Sequence, residues 1–128
     1  TNFTVTGDVT AFYSDTKLKD KIKIGIDNPI NKIKDIEVFT YKNNELAKSF
    51  GFENDDTQIG VSAQSVQKVL PEVVHIAPFD LDKDGNSKSG EDYLTVKYEK
   101  IVPLLIESIK ELNKKIEDIE KKCDCLNK

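Results

Sequence analysis

The fold is decided by residues 102–126, which read VPLLIESIKELNKKIEDIEKKCDCL. Apolar residues and one cysteine recur there at alternating spacings of three and four. These seam residues are Val102, Leu105, Ile109, Leu112, Ile116, Ile119, Cys123 and Leu126. An unbroken heptad pattern of this kind is typical of helices that wind around one another in a left-handed coiled coil. The sequence therefore predicts a long helix over residues 98–128 that associates with copies of itself.

The stripe of seam residues is narrow. Between Leu105 and Lys122, every residue outside the seam except Ile106 is polar or charged. A helix that packs only on a globular core usually has a broader apolar face, although an amphipathic helix packed on its own domain is the alternative. Isoleucine at the first seam position favours two strands, whereas Ile119 and the single Asn113 leave a dimer and a trimer open.

The composition is that of one small domain followed by this helix. Of 128 residues, 38% are hydrophobic and 33% charged, and the net charge is −4. Lysines are interleaved with acidic residues and no apolar run could span a bilayer, so we expect neither a nucleic-acid nor a membrane partner. Cys123 and Cys125 are interpreted as a seam thiol and a surface thiol. Because residue 1 is threonine and methionine is absent, we expect the sequence to be part of a longer protein.

Alternating apolar residues predict strands in the region before the helix. Two short strands over residues 3–6 and 9–13 are interpreted as the end of a β-rich region lying upstream. Another strand is expected at 38–41. Residues 73–76 and 93–96 are expected to pair as a hairpin with a long polar tip.

Short helical patterns lie between these strands. They cover residues 30–36, with Asp27 or Asn28 as the cap, and residues 63–70, which Pro71 ends. The predicted fold class is therefore α+β: a small mixed domain of hairpins and short helices, followed by a long helix in a coiled coil.

The hairpin tip contains a pattern of acidic residues. Asp80, Asp82, Asp84 and Glu91, together with Gly85, match the spacing of a calcium-binding loop in full. Lys88 at the ninth position, and strands instead of helices on either side, depart from that motif. Calcium at this loop is one hypothesis, and a solvated acidic tip is the other; no cofactor is otherwise required.

Ser14 and Lys19 are candidates for nucleophilic chemistry. A serine hydroxyl needs a nearby base to attack a carbonyl, and a lysine acts as that base only when its pKa has been lowered enough to leave it neutral. Lys17 and Lys21 place cations close by in the sequence. The spacing of Ser14 and Lys19 is common by chance, and the alternative is that Ser14 and Asp15 cap a turn.

Five blocks of the sequence, taken in order, resemble a known family. They read SDTKLK at 14–19, FTY at 39–41, IGVSAQSV at 59–66, LPEVV at 70–74 and VKY at 96–98. Followed by the helix, this order resembles the endosialidase-type intramolecular chaperone domain, which ends many phage tail spikes and tail fibres. A eukaryotic membrane-tethered transcription factor also contains such a domain.

The resemblance implies a parallel homotrimer that helps an upstream β stalk of the same polypeptide to fold. It also implies self-cleavage at Ser14. With Lys19 as the candidate base, we expect the bond cut to be Tyr13–Ser14. The chain would then divide into the end of the stalk (1–13), the chaperone domain (14–97) and the coiled-coil helix (98–128). The location implied is a virion tail fibre or spike precursor, assembled in the host cytoplasm.

Three positions depart from the family pattern. Lys17 stands where an arginine is common, Gln58 where a histidine often stands, and Ser62 where an apolar residue is usual. These departures concern the efficiency of cutting and leave the fold prediction unchanged. An uncleaved trimerisation cap at a fibre tip is therefore the competing function; release from a membrane protein is a third.

Overall fold

The computed structural model describes residues 3–126. Residues 1, 2, 127 and 128, which the predicted stalk and helix include, lie outside the described residues. The helices are α1 (Pro29–Lys34), α2 (Glu45–Ser49), α3 (Ala63–Val69) and α4 (Val102–Leu126), and the strands are β1 (Val38–Tyr41), β2 (Gln58–Val61), β3 (Val74–Ile76) and β4 (Leu94–Val96). Single 3-10 turns lie at Thr16–Leu18, Pro71–Val73, Pro78–Asp80 and Tyr98–Lys100. The α+β class with a long final helix is confirmed.

The strands form two separate antiparallel pairs. β1 pairs with β2, so that Val38 lies opposite Val61. β3 pairs with β4, so that Val74 lies opposite Val96, and the chain between them forms the predicted long tip. The hairpin expected from the alternating residues is therefore confirmed.

The core lies where α3 covers the β3–β4 pair. Val66 of α3 is fully buried and packs with Val73, Val74 and Val96, all of which are at most 8% exposed. Half-buried side chains from β2 and β4, and Ile101 just before α4, surround this cluster. A core of this size stabilises a small domain only modestly, so the domain depends on what its other surfaces contact.

The first half of α4 packs on this domain. Leu104 is fully buried and Ser108 is 5% exposed, and the Ser108 hydroxyl donates to the Leu104 carbonyl at 2.8 Å. One turn further, Glu111 Oε2 accepts a hydrogen bond at 3.1 Å from the backbone N–H of Ile30, in the first turn of α1. After Glu111, every residue of α4 whose side chain is described is exposed.

Some details differ from the sequence prediction. Residues 3–13 contain no strand: the expected strands at 3–6 and 9–13 have no neighbouring strand in one chain with which to pair, and Phe3 and Phe12 are over 90% exposed. α1 begins at Pro29, and Asn28 precedes it in the left-handed conformation without a side-chain capping bond. α4 begins at Val102, after a 3-10 turn at the predicted start. Within residues 3–126, none of the helices combines the length and the apolar character that crossing a bilayer requires.

Candidate functional site

A capped turn brings Ser14 and Lys19 together. Asp15 Oδ1 accepts from the backbone N–H of Lys17 at 2.8 Å, which starts the 3-10 turn Thr16–Leu18. The turn brings the chain back on itself, and Lys19 Nζ donates to Ser14 Oγ at 3.2 Å. This is the separation at which a serine and its base exchange a proton. Asp15 caps the turn, and this cap positions the pair.

The neighbouring charge of Lys17 is directed at Asp15. Lys17 Nζ lies 3.4 Å from Asp15 Oδ2; the Lys17 side chain is 85% exposed and that of Asp15 47%. A pair exposed to this degree adds little to stability. Its effect is on position: Lys17 engages the capping carboxylate, which leaves Lys19 as the lysine that contacts the serine hydroxyl.

The backbone bends sharply before Ser14. Phe12 has a φ of 59°, in the left-handed region that an aromatic residue rarely adopts. The bond predicted to be cut, Tyr13–Ser14, follows this bend directly, and the Tyr13 side chain is exposed. The predicted scissile bond is therefore accessible in the single chain.

The segment that carries the pair is not packed on its own domain. All residues from 14 to 24 are exposed, including the apolar side chains of Leu18, Ile22 and Ile24. A lysine base needs burial or neighbouring cations to become neutral. One chain alone gives Ser14 and Lys19 the right separation but leaves them in solvent.

The seam residues of α4 also face solvent. The six from Val102 to Ile119 are 46–65% exposed, and Cys123 is an exposed free thiol. The side chain of Leu126 lies outside the described residues. The seam is therefore separate from the face of α4 that carries Leu104 and Ser108, and the domain does not cover it.

The Asp80 carboxylate is held inside the hairpin tip. Asp80 is 2% exposed, and Oδ2 accepts from Ser87 Oγ at 2.6 Å and from the backbone N–H of Tyr93 at 3.1 Å. Oδ1 accepts from the backbone N–H of Ser89 at 2.8 Å. Burial by itself would raise the pKa of Asp80, but the hydrogen bonds, that from Ser87 first, outweigh it and lower the pKa from 3.8 to about 2.

The other predicted calcium ligands are not gathered around Asp80. Asp82 Oδ1 accepts from the backbone N–H groups of Asp84 and Asn86, both at 2.8 Å. Among the described residues, no group of three or more acidic, histidine or cysteine side chains is arranged to hold a metal. Calcium binding by Asp80, Asp82, Asp84 and Glu91 stays a prediction.

The sequence reasoning missed three side chains that organise the domain. The Ser87 hydroxyl, at the eighth position of the calcium motif, donates to the Asp80 carboxylate. The Tyr98 hydroxyl accepts from the backbone N–H of Val61 at 3.4 Å and joins the start of α4 to β2. Glu111 accepts a hydrogen bond from the backbone N–H of Ile30 in the first turn of α1. The partners of Tyr98 and Glu111 are 37 and 81 positions away, so local patterns carry no signal for them.

Comparison with known proteins shows which residues match a known family. Residues 14–75 match the family described as chaperone of endosialidase. The chain is also similar to long tail fiber protein Gp37 of Enterobacteria phage K3 and to the protein of the same name from Enterobacteria phage T2. Each is 30% identical over 109 residues, or 85% of this chain. The aligned part is only 8% and 7% of those two proteins.

The family match begins at Ser14 and covers the capped turn, β1, β2, α3 and the start of β3. Four of the five sequence blocks that carried the resemblance, those from 14–19 to 70–74, lie inside the matched residues. The match to the phage proteins covers 109 of the 128 residues and so extends beyond this segment. The chain therefore carries a domain of the chaperone-of-endosialidase family.

Proposed function

We propose that this chain is an intramolecular chaperone that forms a parallel homotrimer through α4 and assists the folding of an upstream tail-fibre stalk of the same polypeptide. The observation that carries the proposal is the exposed seam. α4 is already docked through Leu104 and Ser108, yet six apolar seam residues remain about half exposed. Side chains in a heptad pattern gain stability when copies of the helix cover them.

Trimerisation is supported by the family and not by the seam alone. The seam chemistry permits two or three strands. The resemblance to the family implies a homotrimer, and this favours three. Identical seams in parallel chains align each layer with its own copy, which fixes the same register in all three.

A trimer formed first would help a β stalk to fold. Pairing of strands from distant parts of three chains is slow, because loop closure costs entropy before any contact is gained. A coiled coil forms from local contacts and then holds the three upstream segments at high effective concentration. The chain would act in a virion tail fibre or spike precursor, assembled in the host cytoplasm.

The capped turn supports a self-cleavage step. Lys19, once neutral, takes the proton of Ser14 Oγ, and the oxygen attacks the carbonyl carbon of Tyr13. The C–N bond between Tyr13 and Ser14 breaks as the Ser14 nitrogen takes up that proton, leaving an ester from Tyr13 to Ser14 Oγ. Water hydrolyses the ester to a carboxylate at Tyr13 and a free hydroxyl at Ser14.

An uncleaved trimerisation cap is the second candidate. The observation that favours it is the exposure of Ser14 and Lys19, since a solvated lysine is a poor base at neutral pH. The two candidates share the trimer and differ only in whether the Tyr13–Ser14 bond is cut.

Removal of residues 98–128 tests the chaperone function. In a fibre with its own upstream stalk, we expect this deletion to abolish soluble, detergent-resistant stalk, because register is no longer set first. Ile116→Asp in the full chain is the matched variant, since it removes the seam and keeps the docked face. If the truncated fibre assembles as well as the intact one, the domain is not a chaperone for it.

Substitution of the pair tests self-cleavage. We expect Ser14→Ala and Lys19→Ala each to leave the chain full-length by denaturing gel and intact mass, while sedimentation still shows a trimer. Thr16→Ala, which removes an exposed hydroxyl from the same turn, serves as the control and should still be cut. Cutting that persists in Ser14→Ala excludes the pair; a wild type that is never cut leaves the cap.

A further inference from the structure

An apolar groove lies beside the seam on one flank of α4. It has a volume of about 310 Å³, and its walls come from α1, β1, β2 and α4. This groove, which we call the seam groove, is lined by apolar side chains that include Ile33, Ile36, Val38, Val61, Val102 and Leu105. Val38 is 63% exposed, and Val102 and Leu105 belong to the seam itself. The groove is therefore continuous with the surface on which the proposed trimer closes.

A second set of uncovered apolar side chains lies in residues 18–24, just before the chain reaches another flank of α4. Residues 18–24 carry Leu18, Ile22 and Ile24, of which Ile22 is fully exposed. Just after them the chain passes Glu107, since a Cβ added at Gly25 would lie 3.4 Å from Glu107 Oε2. Successive residues of an α-helix are about 100° apart around its axis. The side of α4 that carries Pro103 and Glu107 is therefore roughly 150° around the axis from the side that carries Val102 and Leu105. In its own chain, the segment thus leaves the domain on a flank away from the groove.

Two different surfaces on separate flanks of one chain suit a head-to-tail contact. Such a contact closes into a ring when the rotation between copies is that of a cyclic oligomer. The groove is apolar, the segment presents Leu18, Ile22 and Ile24 between charged residues, and neither is covered within the chain. In a ring with three-fold symmetry, every groove would be filled by a segment, because each chain has one groove and one segment.

We propose that the seam groove of each chain receives residues 18–24 of a second copy. The inference rests on the proposed trimer and deepens it. Leu18 is the last residue of the turn that sets the separation of Ser14 and Lys19. Docking Leu18, Ile22 and Ile24 on a neighbour carries this pair to the boundary between two chains and removes it from bulk solvent. The neighbouring copy, and not the chain's own domain, then supplies the surroundings of the lysine.

Disulfide trapping tests the contact. The variant carries Ile22→Cys and Val38→Cys, with Cys123→Ser and Cys125→Ser to remove the native thiols. Both new cysteines replace exposed side chains, so the single chain has no reason to unfold. After oxidation with diamide, which takes two electrons and two protons from each thiol pair, we expect covalent dimers and trimers on a non-reducing gel. Ile22→Cys with Lys83→Cys, on the hairpin tip, is the matched control and should give none.

Mixing separates a contact between copies from one within a chain. In the same background without the native cysteines, chains that carry Ile22→Cys are co-refolded with chains that carry Val38→Cys. We expect disulfide-linked dimers of the two kinds of chain, and no covalent dimers from either kind alone. Sedimentation is measured on the same samples. A trimer without cross-links, or cross-links confined to the monomer band, overturns this inference and leaves the trimer standing. A monomer in sedimentation overturns the trimer and this contact together.

Discussion

The two faces of α4 are covered to very different extents by the chain to which they belong. Leu104 is fully buried against the domain, whereas Leu105, the next residue and part of the seam, is 46% exposed. Both are leucines of one helix, so the difference lies in the face on which each stands. The docked face fixes where the helix leaves the domain, and the seam face is left for other copies.

The same contrast separates the two polar sites. Asp80 is satisfied within the chain by Ser87, Ser89 and Tyr93. The pair Ser14 and Lys19 is joined only by a local turn and stands in solvent. Polar groups whose hydrogen bonds are made within the chain stabilise its own fold. The exposed groups are those that we assign to assembly and to self-cleavage.

The largest effect should come from a charge in the seam. Ile116→Asp places three carboxylates in one layer of the proposed trimer, and each buried, unpaired charge costs several kcal/mol. We expect the association constant to fall by more than about a thousandfold, so that sedimentation at micromolar concentration shows monomers. Lys114→Asp, which puts the same residue on the outer face, is the control and should remain trimeric. Trimers in Ile116→Asp would show that this seam does not hold the chains together.

A smaller effect is expected on the docked face. Leu104→Ala leaves a cavity between α4 and the domain and should lower the free energy of unfolding by about 2–5 kcal/mol. Urea unfolding in the Ile116→Asp background measures this without a contribution from association. Leu112→Ala in that background should cost under about 1 kcal/mol, because its side chain is already half in water. Equal costs at the two positions would remove the distinction between the faces.

The Asp80 carboxylate should make stability depend on pH. Its pKa is about 2 in the folded chain, against an ordinary value of 3.8. The unfolded chain therefore binds a proton more readily, so the contribution of Asp80 is complete above about pH 4 and is lost as pH falls towards 2. Thermal unfolding of Asp80→Asn should show a lower Tm at pH 7 and a shallower loss between pH 4 and 2. If Asp84→Asn gives the same profile, the hydrogen bonds at Asp80 are not the cause.

Calcium should have the smallest effect. If Asp80, Asp82, Asp84 and Glu91 bind the ion, a calcium concentration ten times Kd would add only about 1.4 kcal/mol to the stability. We expect a corresponding rise in Tm that Glu91→Gln removes and that magnesium does not reproduce. An unchanged Tm in millimolar calcium, the range of weak extracellular sites, would leave the loop a purely structural tip.

Periodic patterns were the part of the fold that the sequence could predict. Alternation located β1 and the β3–β4 hairpin, and the heptad pattern located α4 and its seam. Alternation failed at residues 3–13, because a strand also needs a partner to pair with, and this chain offers none there. The sequence pattern also did not reveal the docked face of α4, because it does not distinguish a buried serine such as Ser108 from an exposed one.

The candidate site was predictable only in its local part. For Ser14 and Lys19 the sequence left two alternatives, a nucleophilic pair or a turn capped by Ser14 and Asp15. The structure contains both an Asp15 cap and a 3.2 Å contact between Lys19 and Ser14. The seam groove was not predictable, because its walls come from four elements far apart in the sequence. Asp80 shows a further limit: its spacing fits a calcium loop, yet Ser87 and two backbone N–H groups occupy its oxygens.

The hydrogen bond from Ile30 to Glu111 limits when the domain can finish folding during synthesis. α1 receives no capping bond from the Asn28 side chain and takes one from a residue 81 positions later. A ribosome completes α1 several seconds before it reaches Glu111, at about 5–20 residues per second. Until then the helix lacks this cap, so the domain matures only after α4 has been made. A product truncated before α4 would lack both the cap and the seam, and the same defect that destabilises it would keep it out of complete assemblies.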